Sequence, residues 1–199
     1  MQIDAPNREQ IPVLRHIWQE AFGDTEDFLH IFEKTAFAAE RCRCVTVEGT
    51  PAAVLYWFDC LYRGQKIAYL YAVATASAYR GQGLCHMLMD DTHKHLKARR
   101  YAGTVLVPGS RELFRLYEGM GYRTCGCIRE FCCDAGRESA DIRRIGQEEY
   151  AALRRRYLVQ DGVIQEGENL AFLAGQAELY AVRILCWLPE VLLSMRTIR

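Results

Sequence analysis

One stretch of the chain, from Tyr71 to Cys85, constrains the fold more than any other. It reads YAVATASAYRGQGLC, an apolar strand-like run followed by small residues, two closely spaced glycines and a helix start. A strand that leads through a glycine turn into a helix is typical of folds in which helices cover a sheet. Gly81 and Gly83 allow a positive φ and a close approach of the backbone to a ligand. With the charge of Arg80, the free N–H groups of the helix start predict a phosphate or pyrophosphate site.

Two well-known phosphate-binding motifs do not fit this segment. A P-loop needs a lysine and a serine or threonine directly after its last glycine, and no lysine follows Gly83. The dinucleotide-binding motif Gly-x-Gly-x-x-Gly needs a glycine where this chain has His86. Interpreted from its residues alone, the segment is equally compatible with a turn that binds no ligand.

The surrounding pattern predicts helices and strands in a definite order. A first helix is expected at about residues 7–22, and Asp24 or Thr25 caps a second one. The later predictions are strands at 42–47, 53–62 and 67–75, a helix at 83–99, a strand at 104–107, a helix at 110–118 and a strand or hairpin at 122–133. Met87 is expected to face the core with Leu84, Leu88 and Leu96. Strands that first form hairpins and then alternate with helices predict an α/β or α+β fold with a mixed, twisted central sheet flanked by helices.

Residues 136–199 carry a weaker echo of the N-terminal pattern. Residues 142–157 resemble residues 3–18, and a second helix at about 166–177 and strand-like runs at 179–187 and 191–198 follow. We interpret this as a partial internal repeat of two helices and a hairpin, although chance similarity of amphipathic helices would also explain it. The predicted division is therefore a domain at 1–135 and a small C-terminal α/β appendage at 136–199.

Charge and hydropathy argue against several classes of function. The chain has 25 basic and 25 acidic residues, whereas a nucleic-acid-binding protein usually carries a basic excess. No stretch approaches the roughly 20 apolar residues needed to span a bilayer, and the N-terminus lacks the apolar segment of a targeting peptide. We therefore expect a cytoplasmic protein that binds neither nucleic acid nor membrane.

The nine cysteines include no Cys-x-x-Cys pair of the kind that binds zinc. We interpret them as small buried side chains in a reducing compartment and expect no metal. A zinc site made from Cys125, Cys127, Cys132 and Cys133 is the alternative, which the lack of a neighbouring histidine disfavours.

Three motifs together resemble the GCN5-related N-acetyltransferase (GNAT) superfamily. RGQGLC at 80–85 is similar to Arg/Gln-x-x-Gly-x-Gly/Ala, whose backbone amides bind the pyrophosphate of coenzyme A. Residues 73–75 resemble the family's fourth strand, where a bulge exposes backbone groups to the pantetheine arm. LFRLYEGMGY at 113–122 resembles the second signature, a helix with a tyrosine followed by Gly-Phe/Tyr. With its partial second copy, the chain also resembles tandem GNAT proteins, which include aminoglycoside acetyltransferases of the enhanced-intracellular-survival type.

The resemblance implies direct acetyl transfer from acetyl-CoA, a co-substrate, to a primary amine of a small molecule or a peptide. It implies Tyr117 as the catalytic proton donor. It also implies acetyl-CoA contacts from Val73, Thr75, Arg80, Gly81, Gln82, Gly83, Leu84, Cys85, Ser110 and Tyr117. A different acyl-CoA and a non-catalytic CoA-binding module are the alternatives. Dimers are common in the family, although no pattern in this sequence requires a homodimer.

Three aromatic residues lie on the strands that usually floor the acceptor pocket of this family: Trp57, Tyr69 and Tyr71. Strand alternation places Tyr69, Tyr71 and Val73 on one face, and an aromatic pocket holds an amine by cation–π contact. These residues are equally compatible with an ordinary sheet core. The sequence does not single out a general base among Glu40, Asp59, Glu118 and an ordered water.

Cys85 departs from the motif, whose last position is usually Gly or Ala. Cysteine is small enough to fit there, but a helix N-terminus lowers the pKa of a thiol and increases its reactivity. We expect a passive role for Cys85.

Overall fold

The computed structural model describes residues 1–125, 145–157 and 162–180, together with the backbone of Ser194–Thr197. Its strands are β1 (Gln2–Asp4), β2 (Cys42–Val47), β3 (Thr50–Tyr62), β4 (Gln65–Thr75), β5 (Gly103–Leu106), β6 (Arg123–Thr124), β7 (Ile164–Gln165) and β8 (Ser194–Thr197). Its helices are α1 (Ile11–Phe22), α2 (Glu26–Thr35), α3 (Leu84–Ala98), α4 (Arg111–Gly119), α5 (Gln147–Tyr157) and α6 (Gly167–Leu179). None of these helices is both long and apolar enough to cross a bilayer.

Within the described residues, the strands form one mixed sheet in the order β1-β2-β3-β4-β5-β8-β6, and β7 adds to β3. Strands β1 to β4 are antiparallel neighbours, β4 and β5 are parallel, and β8 runs antiparallel to both β5 and β6. Helices cover both faces of this sheet. The predicted fold class is therefore confirmed.

The structure corrects two details of the N-terminal half. Helix α1 begins at Ile11, later than predicted, because residues 7–10 form a turn in which the backbone N–H of Gln10 donates to the Asn7 side chain. Pro12 then lies in the first helical turn, where its missing N–H costs nothing. Met87 is 38% exposed, because the buried stripe of α3 runs through Leu88, Thr92 and Leu96 on the opposite side of the helix.

Two cores lie on opposite faces of the sheet. On the α1 face, which α1, α2 and α6 cover, Trp18, Phe32 and Phe58 pack into an aromatic core. On the α3 face, which α3 and α4 cover, the core includes Leu55, Trp57, Leu88, Met89, Tyr117 and Tyr122. The sheet thus separates the aromatic cluster from the helices that follow β4 and β5.

The described part of residues 136–199 packs against the same sheet. Strand β7 pairs with β3 at Cys60 and Leu61, and β8 lies between β5 and β6. Helix α6 lies on α2 and places Phe172 in the α1-face core, 5.3 Å from the ring of Phe32. The division at residues 135 and 136 stays a prediction.

Several predictions fall outside the described residues. They include Cys127, Cys132 and Cys133 of the alternative zinc site, most of the hairpin at 122–133, and the strand-like runs at 179–187 and 191–198 apart from Leu179, Tyr180 and the backbone of β8. Among the described residues, no group of three or more side chains could hold a metal ion.

We predict that Gly175→Ala destabilises the protein by about 1–3 kcal/mol. A Cβ at this position would lie 2.5 Å from Cγ2 of Ile31, so α6 and α2 would have to move apart. This overlap outweighs the helix propensity that alanine adds, about 0.5–1 kcal/mol. Denaturant unfolding measures the change.

Gly119→Ala in α4 is the matched control, because no atom lies within 4 Å of its added Cβ. We expect it to leave the free energy of unfolding unchanged or slightly raised. Equal stability of the two variants would contradict the close packing of α6 on α2.

Candidate functional site

Strand β4 carries a bulge in its second half. Val54 pairs with Ala74 and Tyr56 with Tyr71, so Ala72 and Val73 together oppose one β3 residue. Ala72 takes a positive φ of 47°. The extra residue breaks the side-chain alternation, so Tyr71 packs on the α1 face and Val73 on the α3 face. The expectation that Tyr69, Tyr71 and Val73 share one face is therefore corrected.

The parallel pairing of β4 with β5 ends just before this bulge. Their parallel pairing ends where Tyr69 lies opposite Val105, although β4 continues to Thr75. Among the described residues, no strand pairs with the β5-facing edge of β4 beyond that point. The backbone groups of this edge are therefore available to an extended ligand that adds alongside β4.

The loop after β4 leads into α3 through two glycines in the left-handed region. Gly81 has a φ of 75° and Gly83, the N-cap of α3, a φ of 76°. No side chain caps the helix, so the first amides of α3 keep free N–H groups, as every helix start does unless capped. A Cβ built on either glycine meets no atom within 4 Å. The amides thus lie beside open space in which an anion could bind.

Hydrogen bonds to α1, to the end of β4 and within the loop hold this loop in place. The backbone N–H of Ser77 donates to the Glu20 carboxylate of α1 over 3.1 Å, and hydrogen bonds from Ser77 lower the pKa of Glu20. Arg80 donates through Nε to the carbonyl of Thr75 over 3.1 Å, and Gln82 donates back within the loop. Arg80 is otherwise exposed, so its guanidinium remains free to meet an anionic ligand.

Tyr117 is the buried side chain of α4. Ser110 caps this helix by accepting the backbone N–H of Leu113, and Tyr117 is 6% exposed. Burial raises the pKa of Tyr117 far above its ordinary value, and its interaction with Cys85 adds to the effect. Tyr117 thus lies near the first turn of α3 and keeps its phenolic proton at neutral pH.

Cys85 combines a helix N-terminus, which favours a thiolate, with burial, which disfavours it. Burial raises the pKa of Cys85 to about 11. The side chain belongs to the edge of the α3-face core, beside Leu84, which is fully packed there. Leu84 and Cys85 therefore offer a ligand their backbone amides, and the expected passive role of the Cys85 thiol is consistent with its environment.

The sheet separates Trp57 from Tyr69 and Tyr71. Trp57 packs on the α3 face with its ring 5.8 Å from that of His95. Tyr69 and Tyr71 lie on the α1 face, 5.8 Å apart. A single pocket lined by all three side chains is therefore not formed, and Tyr69 and Tyr71 remain as candidates on the acceptor side.

The α1 face around Tyr71 includes residues that the sequence did not point to. The Tyr71 side chain is hydrogen-bonded to that of Gln176 in α6, and it also interacts with the Asp24 carboxylate. That carboxylate accepts a hydrogen bond from the Trp18 ring N–H over 2.7 Å. Glu20 and Gln176 are far from Ser77 and Tyr71 in sequence, so no local motif could identify them.

Asp59 is paired at the opposite end of β4. Its carboxylate forms a 2.8 Å ion pair with Lys66 and accepts a hydrogen bond from the Tyr101 hydroxyl. Lys66 is the second residue of β4, whereas the bulge lies near the strand's other end. Because Asp59 is paired far from the bulge, we no longer regard it as a candidate general base. The other two candidates, Glu40 and Glu118, are both exposed.

Comparison with known proteins identifies the fold. A sequence model of the acetyltransferase (GNAT) domain matches residues 2–125. No curated protein sequence matches the chain significantly.

Solved structures share this architecture. A GCN5-related N-acetyltransferase from Anabaena variabilis is 25% identical with a TM-score of 0.52, covering 64% of this chain and 33% of its own. A GNAT family N-acetyltransferase from Escherichia coli in complex with CoA is 18% identical with a TM-score of 0.52, covering 62% and 68%. Eis1 from Mycobacterium abscessus is 12% identical with a TM-score of 0.65, covering 92% and 48%. The chain thus spans a third of the length of the Anabaena protein.

We predict that Cys85 reacts slowly with alkylating reagents at neutral pH. Since its pKa is raised to about 11, the thiol stays protonated below that pH and thiolate is the reactive form. Alkylation by iodoacetamide should rise about tenfold per pH unit between pH 7 and 10, as measured by peptide mass spectrometry.

Cys125, which is exposed, provides the internal reference in the same digest. Rapid labelling of Cys85 at pH 7, ahead of Cys125, would show that the helix terminus outweighs burial.

Proposed function

Because this chain belongs to the GNAT acetyltransferase family, we propose that it transfers acetyl from acetyl-CoA to a primary amine of a small molecule or peptide. The observation that carries this proposal is the end of the β4–β5 pairing at Tyr69 and Val105, after which β4 leads into the glycine loop of α3 and β5 leads into α4, the helix of Tyr117. Parallel strands that separate at their carboxyl ends create the crevice in which ligands of α/β proteins bind.

The residues present fit the diphosphate and the arm of coenzyme A. We assign the diphosphate to the amides of residues 81–85, where both glycines leave open space and Arg80 adds a positive charge. We assign the amide-bearing arm to the free edge of β4 at Val73 and Thr75. We assign Ser110, the N-cap of α4, a contact with the same cofactor.

The reaction forms a C–N bond and breaks a C–S bond. When bound, acetyl-CoA supplies a thioester whose carbonyl carbon accepts the lone pair of a neutral amine. Tyr117 keeps its proton because burial raises its pKa. An ordinary thiol has a pKa of about 8.5, so complete transfer from the phenol is uphill. Tyr117 therefore acts mainly by donating a hydrogen bond to the departing sulfur, which stabilises its developing negative charge.

The acceptor is proposed to approach from the α1 face. Tyr71 lies there at the bulge, next to Asp24 of the α1–α2 turn and Gln176 of α6. Asp59 is already paired with Lys66, so water is the proposed acceptor of the proton that the ammonium loses.

We also place the protein in the cytoplasm, where acetyl-CoA is available. The five described cysteines are free thiols, which is typical of a reducing compartment.

We predict that Gly83→Ala weakens the binding of acetyl-CoA by about tenfold or more. Alanine is strained at a φ of 76°, and relieving that strain shifts the amides that bind the diphosphate. Isothermal titration calorimetry with acetyl-CoA measures the dissociation constant.

Gly64→Ala is the matched control. Gly64 has a φ of 73° and equal open space, but it lies in the β3–β4 hairpin at the far end of β4. It should lose similar stability and keep the wild-type affinity. Wild-type protein that does not bind acetyl-CoA would refute the proposed function.

We predict that Tyr117→Phe lowers kcat by about tenfold or more while the dissociation constant of acetyl-CoA is unchanged, because the ring is kept and only the hydrogen-bond donor is lost. Thiol release with a library of primary amines identifies an acceptor and supplies the assay. Since the phenol stays protonated, the wild-type rate should show no loss from Tyr117 ionisation below about pH 10.

An unchanged kcat would remove Tyr117 from the mechanism. Binding of acetyl-CoA without turnover of any amine would favour a CoA-binding module over an enzyme.

A further inference from the structure

A closed polar triangle lies behind Tyr117 in the α3-face core. The Tyr122 hydroxyl is 2.8 Å from Nε2 of His93 and 2.8 Å from Oγ1 of Thr104. The third side, between Thr104 and His93, measures 3.3 Å. All three side chains are buried, with exposures of 2%, 6% and 0% for Tyr122, His93 and Thr104. A hydroxyl is retained at such a depth only when it is hydrogen-bonded, and this one has two partners.

The triangle joins α3, β5 and the segment that follows α4. His93 belongs to α3 and Thr104 to β5, while Tyr122 lies three residues after the end of α4. The backbone N–H of Tyr122 donates to the carbonyl of Tyr117 over 3.0 Å. The two tyrosine rings meet edge to face with centroids 5.7 Å apart. The ring that packs on Tyr117 is thus fixed at its far end by α3 and β5.

Helix α4 packs on the α3-face core through Tyr117 and the partly buried Leu116. It is nine residues long, and Tyr117 is its one buried side chain among the described residues. The direction of the Tyr117 phenol therefore depends on what its ring packs against. A packed phenylalanine in place of Tyr122 would fill the same space but would lose both hydrogen bonds that fix its tilt.

We propose that Tyr122 is a positioning residue that aims Tyr117 at the reacting sulfur, with His93 and Thr104 as its anchors. The inference rests on the proposed acetyl transfer, in which Tyr117 donates the hydrogen bond. The proton arrangement is satisfied with either tautomer of His93. With Nε2 unprotonated, Tyr122 donates to His93 and accepts from Thr104, and with Nε2 protonated, Tyr122 accepts from His93 and donates to Thr104. A fully satisfied buried network of this kind restricts its members to one geometry.

The test compares Tyr122→Phe with Thr92→Val. Thr92 lies one residue from His93 in α3, is fully buried, and donates its hydroxyl proton to the carbonyl of Leu88 over 2.7 Å. Both variants lose one buried hydroxyl, but only Tyr122→Phe removes a contact of the triangle. With an amine identified by thiol release, kcat should fall about tenfold in Tyr122→Phe and stay at the wild-type value in Thr92→Val. The dissociation constant of acetyl-CoA should be unchanged in both.

A double mutant separates positioning from general loosening of the core. If Tyr122 acts through Tyr117, adding Tyr122→Phe to Tyr117→Phe should lower kcat no further, because the group it aims is already gone. Thr104→Val keeps the side-chain shape and removes a different contact of the triangle, so we expect it to lower kcat as well, but by less. This variant replaces Tyr122→Phe in the test if Tyr122→Phe does not fold.

Three results would overturn the inference. They are an unchanged kcat in both triangle variants, an equal loss in Thr92→Val, and a full additional loss in the double mutant. Wild-type protein that binds acetyl-CoA but releases no thiol would instead refute the proposed transfer, and the inference with it.

Discussion

The whole site depends on the separation of β4 from β5. A sheet normally satisfies each strand's backbone groups with its neighbour, so an edge left open in the middle of a sheet needs a cause. Here the open edge coincides with a bulge: one extra residue in β4 places Ala72 in the left-handed region just beyond the last pair with β5. Because β4 and β5 are parallel, both open toward the edge where α3 and α4 begin. The free edge of β4 and the N-termini of α3 and α4 thus all follow the carboxyl ends of these two strands, where ligands of α/β folds bind.

Burial, more than the helix termini, sets the chemistry of the side chains in this crevice. Cys85 lies in the first turn of α3, where the helix dipole favours a thiolate, yet desolvation raises its pKa to about 11. The same cause raises the pKa of Tyr117. Both groups therefore stay neutral at physiological pH, and the positive ends of the helices act on a ligand through backbone amides. Such a site stabilises negative charge that arrives with the ligand or develops during its reaction.

The sequence predicts the local features and misses the ones that depend on distant contacts. The hairpin of β2 and β3, the strand–glycine–helix turn and the Ser110 cap follow from nearby residues, and each is present. The family resemblance implies a bulge at residues 73–75, but the move of Val73 to the α3 face was not predicted, because strand alternation alone places Val73 on the face of Tyr71. Glu20 is 57 residues from Ser77, and Tyr122 is 29 residues from His93. Such residues become neighbours only in the folded chain. The residues that hold the site in place therefore could not be predicted from the sequence, whereas its local motifs could.

The proposed acceptor side is built partly from residues outside the region that matches the family. The GNAT domain match ends at residue 125, whereas Phe172 and Gln176 of α6 pack against Tyr71 at the bulge. The close packing of Gly175 on Ile31 holds α6 against α2, and it thereby holds Phe172 and Gln176 beside Tyr71 of β4. The features to which we assign coenzyme A binding lie within the matched region, and the features that border the other side of the bulge come from both regions. Family membership therefore accounts for the proposed donor half of the site, and α6, which lies outside the matched region, borders Tyr71 on the proposed acceptor side.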